Sequence, residues 1–194
     1  MNHLIVYAHP FEDSFNHAIL ESTVSALESK GHTVVVRDLY AIGFNPVLSP
    51  VDFKELRSGN IPNDIATEQE FIKNADAITL VYPLWWTSLP AILKGYIDRV
   101  FSYGFAYQYT SEGTVEGLLS SKKGFMITTQ GTPNAYYDAS GMTNSLKQTT
   151  DVGIFGFCGI KIQDHLFFGG ISSSDDATRK EMLKTAEAKI KELF

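Results

Sequence analysis

Short apolar runs rich in β-branched residues alternate with longer amphipathic segments along the whole chain, and this alternation constrains the fold more than any other feature. The runs cover residues 4–8, 33–38, 77–82, 123–129 and 161–168. Runs of this length are typical of buried strands, and strands separated by helical segments pair in parallel. We therefore predict an α/β fold in three layers, a five-stranded parallel sheet with helices on both faces.

The segments between the strands have helical spacing of their apolar residues. The predicted helices cover about 15–30, 64–74, 90–103 and 143–157, and Ser173 or Ser174 caps a last helix that ends at Leu193. The stretch from Tyr40 to about Asn63 is irregular apart from a short helix near residues 52–58. No repeat or linker divides the chain, so residues 1–194 are interpreted as a single domain.

Two doubly wound strand orders fit this pattern, because periodicity alone does not give the order. One is the flavodoxin-like order 2-1-3-4-5, and the other is the order of dinucleotide-binding domains. The second normally carries Gly-x-Gly-x-x-Gly after its first strand, a motif that this chain lacks at residues 9–14. The sequence therefore favours the flavodoxin-like order.

Composition excludes several classes of function. The net charge of -6 and the lack of a basic run argue against nucleic-acid binding. Cys158 is the single cysteine, which excludes an intrachain disulfide and fits a reducing compartment. No signal peptide, membrane-spanning run or metal-ligand spacing is evident, so we expect a cytoplasmic protein without a metal or membrane insertion.

The loop after the first strand is a candidate phosphate site. It contains His9, and Ser14 precedes a helix that begins with Phe15 and Asn16. The N–H groups and the dipole of a helix N-terminus attract an anion, and a hydroxyl at the cap adds a further donor. The alternative is that Ser14 only caps the helix and that His9 is an ordinary turn residue.

The loops after the third and fourth strands should meet the first loop at the carboxyl edge of the sheet. The former contains Pro83, Leu84, Trp85 and Trp86, and adjacent tryptophans between prolines suit a planar ligand. Packing of one tryptophan against a helix and of the other at an interface is the alternative. The loop after the fourth strand contains Thr128, Thr129, Gln130 and Gly131, whose N–H groups could stabilise negative charge on a ring system. The alternative is that these residues form a plain polar turn.

Together these residues resemble the flavodoxin-like NAD(P)H:quinone oxidoreductases of the DT-diaphorase type. The resemblance rests on the string of residues 83–101, on the loop that ends in Ser14-Phe15-Asn16, and on residues 128–131. It extends over nearly the whole chain and is strongest to the compact bacterial branch, which includes the ancillary proteins of potassium-efflux systems.

The resemblance implies tightly bound FMN or FAD, NAD(P)H as electron donor, a quinone-like acceptor that uses the same site in turn, and a homodimer. It assigns the flavin phosphate to the first loop and the ring system to the second and third loops. Tyr136 or Tyr137 takes the place of the family's catalytic tyrosine, and Gly131 is a candidate for stabilising the reduced ring. Two departures stand out: Gln130 replaces a glycine, and no histidine follows the third loop before His165.

Two other functions stay open at this stage. A flavodoxin-like electron carrier would need no nicotinamide pocket, and a regulatory subunit would bind a membrane transporter. Among the other residues, we interpret His165 as a core or edge histidine, Cys158 as buried, and Asp98 and Arg99 as solvated charges, although the resemblance places their helix at the dimer interface. The aromatic run of residues 103–109 either lines a substrate pocket of the partner subunit or packs in the core.

Overall fold

The structure, a computed structural model, describes all residues from 1 to 194. Its strands are β1 (Asn2–Tyr7), β2 (Thr33–Asp38), β3 (Ala77–Pro83), β4 (Tyr107–Tyr109), β5 (Val115–Gly117), β6 (Lys123–Thr129) and β7 (Lys161–Phe168). Its α-helices are α1 (Phe15–Ser29), α2 (Pro50–Arg57), α3 (Asn63–Asn74), α4 (Ala91–Val100), α5 (Asn134–Ala139), α6 (Met142–Lys147) and α7 (Asp176–Leu193). A π-helix (Gln148–Gly156) follows α6, and a 3₁₀ turn (Ile171–Ser173) precedes α7.

The main sheet has five parallel strands in the order β2-β1-β3-β6-β7. Strands β4 and β5 form a separate antiparallel hairpin, so the order among the main strands is the predicted 2-1-3-4-5. In the register of the sheet, Tyr7 pairs with Val81 and Pro83 pairs with Thr129. The carboxyl ends of β1, β3 and β6 therefore lie side by side at one edge of the sheet.

The core has two halves, one on each face of the sheet. Alternate side chains of the strands point to opposite faces, and the central strands are buried on both. One cluster packs the sheet against α3, α4 and the π-helix, and the other packs it against α1 and α7. The prediction of helices on both faces is thus confirmed. None of the helices has the length and apolar character needed to cross a membrane.

The largest departure from the predicted elements lies between residues 130 and 160. The helix expected over 143–157 is split into α6 and the π-helix, in which Phe157 N donates to Val152 O over 2.9 Å. Such wide turns are commonly found at functional sites. The helix α5 and the β4–β5 hairpin were not predicted, because both are too short to show a period. Asp175, rather than Ser173 or Ser174, caps α7 by accepting from Thr178 N over 2.8 Å.

The interpretation of Arg99 as a solvated charge is wrong. Its guanidinium is buried, and it donates to both oxygens of Asp52 (3.2 and 2.9 Å) and to Asp64 (2.5 Å). It also donates to the carbonyl of Asn45 over 2.9 Å. Next to it, a Cβ at Gly95 would overlap the backbone of Pro46, so only glycine allows this close approach. These contacts attach the long segment between β2 and α3 to helix α4.

Candidate functional site

The loops after β1, β3 and β6 are in direct contact at the carboxyl edge of the sheet. Leu84 N donates to Thr129 O over 2.7 Å, which joins the second loop to the third. Asn16 Nδ2 donates to Thr129 Oγ1 over 2.8 Å, which joins the start of α1 to the same residue. The rings of His9 and Trp85 lie 6.1 Å apart. The three loops therefore form one continuous surface, as expected from the parallel sheet.

The first loop ends in a helix N-terminus with free donors. Ser14 caps α1, because its Oγ accepts from His17 N over 3.1 Å, and the Tyr7 hydroxyl lies 3.4 Å from the same Oγ. The N–H groups of Phe15 and Asn16 have no acceptor within the protein. Burial lowers the pKa of His9, which favours the neutral form of this ring. The capping role of Ser14 therefore leaves these two N–H donors free, and free donors at a helix N-terminus fit a phosphate group.

The second loop has a strained turn at its tip. Trp85 and Ser88 exchange two backbone hydrogen bonds of 3.1 Å, which closes a two-residue turn. The two central residues, Trp86 and Thr87, have φ values of 51° and 56°, a region that branched and bulky side chains rarely adopt. The turn leaves the Trp86 side chain 99% exposed. Strain of this kind is commonly kept at binding sites, and here it holds the side chain of Trp86 out from the edge of the sheet.

The third loop offers backbone donors and one buried acceptor. The N–H groups of Gly131 and Thr132 donate to no group of the protein. The amide of Gln130 has a fixed orientation, because its Nε2 donates to Asn134 Oδ1 over 3.2 Å and Asn134 Nδ2 donates to Phe167 O over 2.7 Å. This leaves the buried Gln130 Oε1 without a partner. The replacement of a glycine by Gln130 therefore adds a directed acceptor beneath the loop.

The free N–H donors of the first and third loops fit an anionic group joined to a polar ring system. Besides Gln130 Oε1, the buried Asn16 Oδ1 has no partner in the protein. A buried polar atom without a partner is unfavourable, so sites that retain such atoms are commonly completed by a ligand. A flavin fits this set: its phosphate matches the α1 donors, and its ring acceptors match the N–H groups of Gly131 and Thr132. No group of His, Cys, Asp and Glu has an arrangement that could hold a metal ion.

The predicted site residues divide into exposed and supporting groups. Trp85, Trp86, Gly131 and Tyr136 are exposed at this edge, and Tyr137 is half-buried beside Tyr136 on α5. The side chains of Pro83, Thr128 and Thr129 are buried, and Phe15 packs against the core cluster under α1. The buried members therefore shape the site through the backbone and through neighbouring side chains.

Sequence reasoning did not find the buried partners of Thr128. Its Oγ1 lies 3.3 Å from His165 Nε2, and His165 Nδ1 lies 2.7 Å from Asp151 Oδ1. Burial lowers the pKa of His165, although its hydrogen bond to Asp151 acts in the opposite direction. A polar residue in the middle of β7 was the only signal in the sequence, and it gave no indication of the partner on the π-helix. The expected burial of His165 and of Cys158 is confirmed.

Comparison with known proteins gives one consistent result. The flavodoxin-like fold family matches residues 1–193. A Haemophilus influenzae protein described as an uncharacterized NAD(P)H oxidoreductase is 44% identical over 190 residues, which cover 97% of this chain and 94% of that protein. NAD(P)H dehydrogenase [quinone] 1 of Cavia porcellus is 33% identical over 200 residues, which cover 93% of this chain and 72% of that enzyme. Among solved structures, the NAD(P)H:quinone oxidoreductase from Methanothermobacter marburgensis superposes with a TM-score of 0.91 at 32% identity, covering 100% of this chain and 99% of that one.

Proposed function

This chain belongs to the flavodoxin-like fold family, and on that basis we propose that it is a flavin-dependent NAD(P)H oxidoreductase that reduces quinones or related acceptors. The two-electron reaction runs in two half-reactions at one site, with nicotinamide and acceptor bound in turn. The observation that carries the proposal is the meeting of three loops, with their free donors and unpaired acceptors, at one edge of the sheet.

Each loop has its own task in the proposed enzyme. The N–H groups of Phe15 and Asn16 and the dipole of α1 bind the phosphate of FMN or FAD. A flavin held there would supply the hydride chemistry between NAD(P)H and the acceptor. The N–H groups of Gly131 and Thr132 stabilise negative charge on the ring edge that they face. Trp85 and Trp86 hold flat molecules in a stacked orientation. This orientation lowers the entropy cost of bringing the two reactants together.

The proton that a quinone needs comes from the tyrosines of α5. The hydroxyls of Tyr136 and Tyr137 make no hydrogen bond within the protein, and both follow the third loop by one helical turn. A free hydroxyl at the rim of the site can donate to a bound acceptor and be reprotonated from water. This assignment replaces the histidine that the family pattern places after the loop.

We further propose that two copies of the chain form the active unit. Large apolar side chains are exposed around the hairpin and the π-helix: Tyr103, Tyr109, Val152 and Phe157. An apolar surface of this kind commonly marks a protein interface. In a dimer, the tyrosines of the hairpin would be placed to line the acceptor pocket. A partnership with a potassium-efflux transporter stays a prediction of the resemblance alone.

Steady-state turnover tests the proposal against an electron-carrier function. The purified protein, reconstituted with FMN or FAD, is mixed with NADH or NADPH and with menadione, and the absorbance at the nicotinamide band is followed. An enzyme consumes many equivalents of nicotinamide per chain and shows parallel lines in a double-reciprocal plot. Reduction of only the bound flavin, with no turnover by either nicotinamide, would contradict the enzyme and favour the carrier.

A further inference from the structure

A chain of buried polar side chains crosses from the π-helix to the end of β6, directly beneath the third loop. His165 Nδ1 lies 2.7 Å from Asp151 Oδ1, and His165 Nε2 lies 3.3 Å from Thr128 Oγ1. The side chain of His165 is 1% exposed and that of Asp151 is 12% exposed, so water has little access to the pair. Since Thr128 directly precedes Thr129, the chain ends one residue below the surface that the three loops form.

The hydrogen bonds among Asp151, His165 and Thr128 can be satisfied in both protonation states of His165 without a movement of heavy atoms. The Thr128 hydroxyl has one proton and two acceptors at 3.3 Å, His165 Nε2 and Leu166 O. When the ring is neutral, Nδ1 donates to Asp151 and Nε2 accepts from Thr128. When the ring is charged, Nε2 donates to Thr128, whose own proton then goes to Leu166 O. Every hydrogen bond is made in the charged state.

Two features of the surroundings of His165 act on its protonation in opposite directions. Burial lowers its pKa, whereas the carboxylate of Asp151 favours the charged ring. The ring of Phe167 stacks on the imidazole with its centroid 3.8 Å away, which excludes water from that face. The titratable groups that act on the ring are Asp151 on the π-helix, Lys147 on α6, and Asp164 on β7 with its partner Lys189 on α7, while Tyr82 on β3 lies near Asp151.

We propose that His165 is a positioning residue of the third loop that changes from acceptor to donor toward Thr128 when reduction places negative charge above the loop. The inference rests on the flavin site proposed above. Added negative charge favours the imidazolium over the neutral ring, and the hydroxyl of Thr128 gives that imidazolium an acceptor. In this step His165 gains one proton, which enters from solvent by way of the partly exposed Asp151 carboxylate, no other covalent bond forms or breaks, and both electrons remain where NAD(P)H delivered them.

Nitrogen NMR of the histidine rings tests this directly. The chain has five histidines, and loss of one set of signals in His165→Gln assigns the ring. Protein labelled with ¹⁵N-histidine and loaded with FMN is recorded at pH 7, oxidised and then reduced anaerobically with excess NADH or NADPH. We expect a mostly neutral ring with the proton on Nδ1 before reduction and a mostly charged ring after it. A ring that stays neutral in the reduced protein overturns the proposal.

Thr128→Val provides the matched variant, because it keeps the branched shape and removes the hydroxyl. With no acceptor for Nε2–H, the charged ring should form to a much smaller extent on reduction. A full change of His165 in this variant would overturn the role given to Thr128. Loss of FMN binding in the unmodified chain would instead overturn the proposed function, so the two failures are distinguishable by the amount of bound flavin.

Discussion

Asn16 Nδ2 donates to Thr129 Oγ1 over 2.8 Å, and this bond joins the first turn of α1 to the end of β6. The two groups belong to segments that are more than 100 residues apart in the chain. The Oδ1 of the same amide is buried without a partner. The Nδ2 atom of Asn16 is therefore fixed by Thr129, while its Oδ1 atom is free to accept a hydrogen bond from a ligand. Asn16 therefore sets the distance between the two ends of the proposed flavin site.

Asn16→Leu should weaken flavin binding. The change removes the bond to Thr129 and the unpaired Oδ1, and each lost polar contact corresponds to about 1–2 kcal/mol, or about 5- to 30-fold in Kd. Fluorescence quenching of FMN on titration with apoprotein measures the change. Thr23→Val is the matched control, because Thr23 Oγ1 is also buried without a partner on α1 but lies farther from the site. Equal affinities of the Asn16 variant and the unmodified protein would contradict the assigned role.

Replacement of both Tyr136 and Tyr137 by phenylalanine should slow only the half-reaction that consumes a proton. We expect reoxidation by menadione to fall by about 100-fold, the scale of general acid catalysis, while reduction by NAD(P)H keeps its rate. Stopped-flow spectroscopy of each half-reaction measures both. Ferricyanide, which accepts single electrons and no proton, is the control acceptor and should react at an unchanged rate. If menadione reoxidises the double variant as fast as the unmodified protein, these tyrosines are not the proton source.

Arg99→Met should destabilise the protein strongly. The change leaves the carboxylate of Asp52 buried without its cation, and breaking one side of a buried ion pair costs about 3–5 kcal/mol. Urea unfolding followed by circular dichroism measures the free energy of unfolding. Lys94→Met is the control, since Lys94 and Asp98 form an exposed pair on the same helix that contributes about 0.5 kcal/mol or less. Similar losses in the two variants would contradict the described role of the buried pair.

The stability of the protein should fall between pH 6.5 and pH 3 in part through His3. Burial lowers the pKa of His3 from 6.5 to about 3, so the folded state keeps the ring neutral while the unfolded chain binds a proton. The stabilisation is complete above pH 6.5 and decreases by up to about 1.4 kcal/mol per pH unit as the pH falls. Urea unfolding at pH 7.5 and pH 5 should show a smaller decrease for His3→Gln. An equal decrease in both proteins would exclude this contribution.

The positions of the strands and of the three loops followed from the sequence because they depend on local patterns, whereas the strand order was favoured by the missing glycine motif after β1. Each strand is a continuous apolar run, and parallel pairing places the loops after β1, β3 and β6 at one edge. The tryptophan pair between Pro83 and Pro90 stood out because such residues are unusual in a turn.

The parts that the sequence did not reveal depend on contacts between distant residues. Arg99 looks like a surface charge on its helix, and its burial follows only from the position of Asp52 and Asp64 in a segment without periodicity. The pairing of His165 with Asp151 requires the π-helix, whose wider turn changes which side chains face the sheet. Neither network belongs to a local sequence motif.

The central claim is that the three loops hold a flavin, and identification of the cofactor tests it most directly. The protein is purified, incubated with an excess of FMN and FAD, freed of unbound ligand by gel filtration, and denatured by heat. Mass spectrometry and absorbance of the supernatant should show close to one flavin per chain, with either FMN or FAD predominating. The absence of flavin from the supernatant, with a protein that remains folded before heating, would contradict the account.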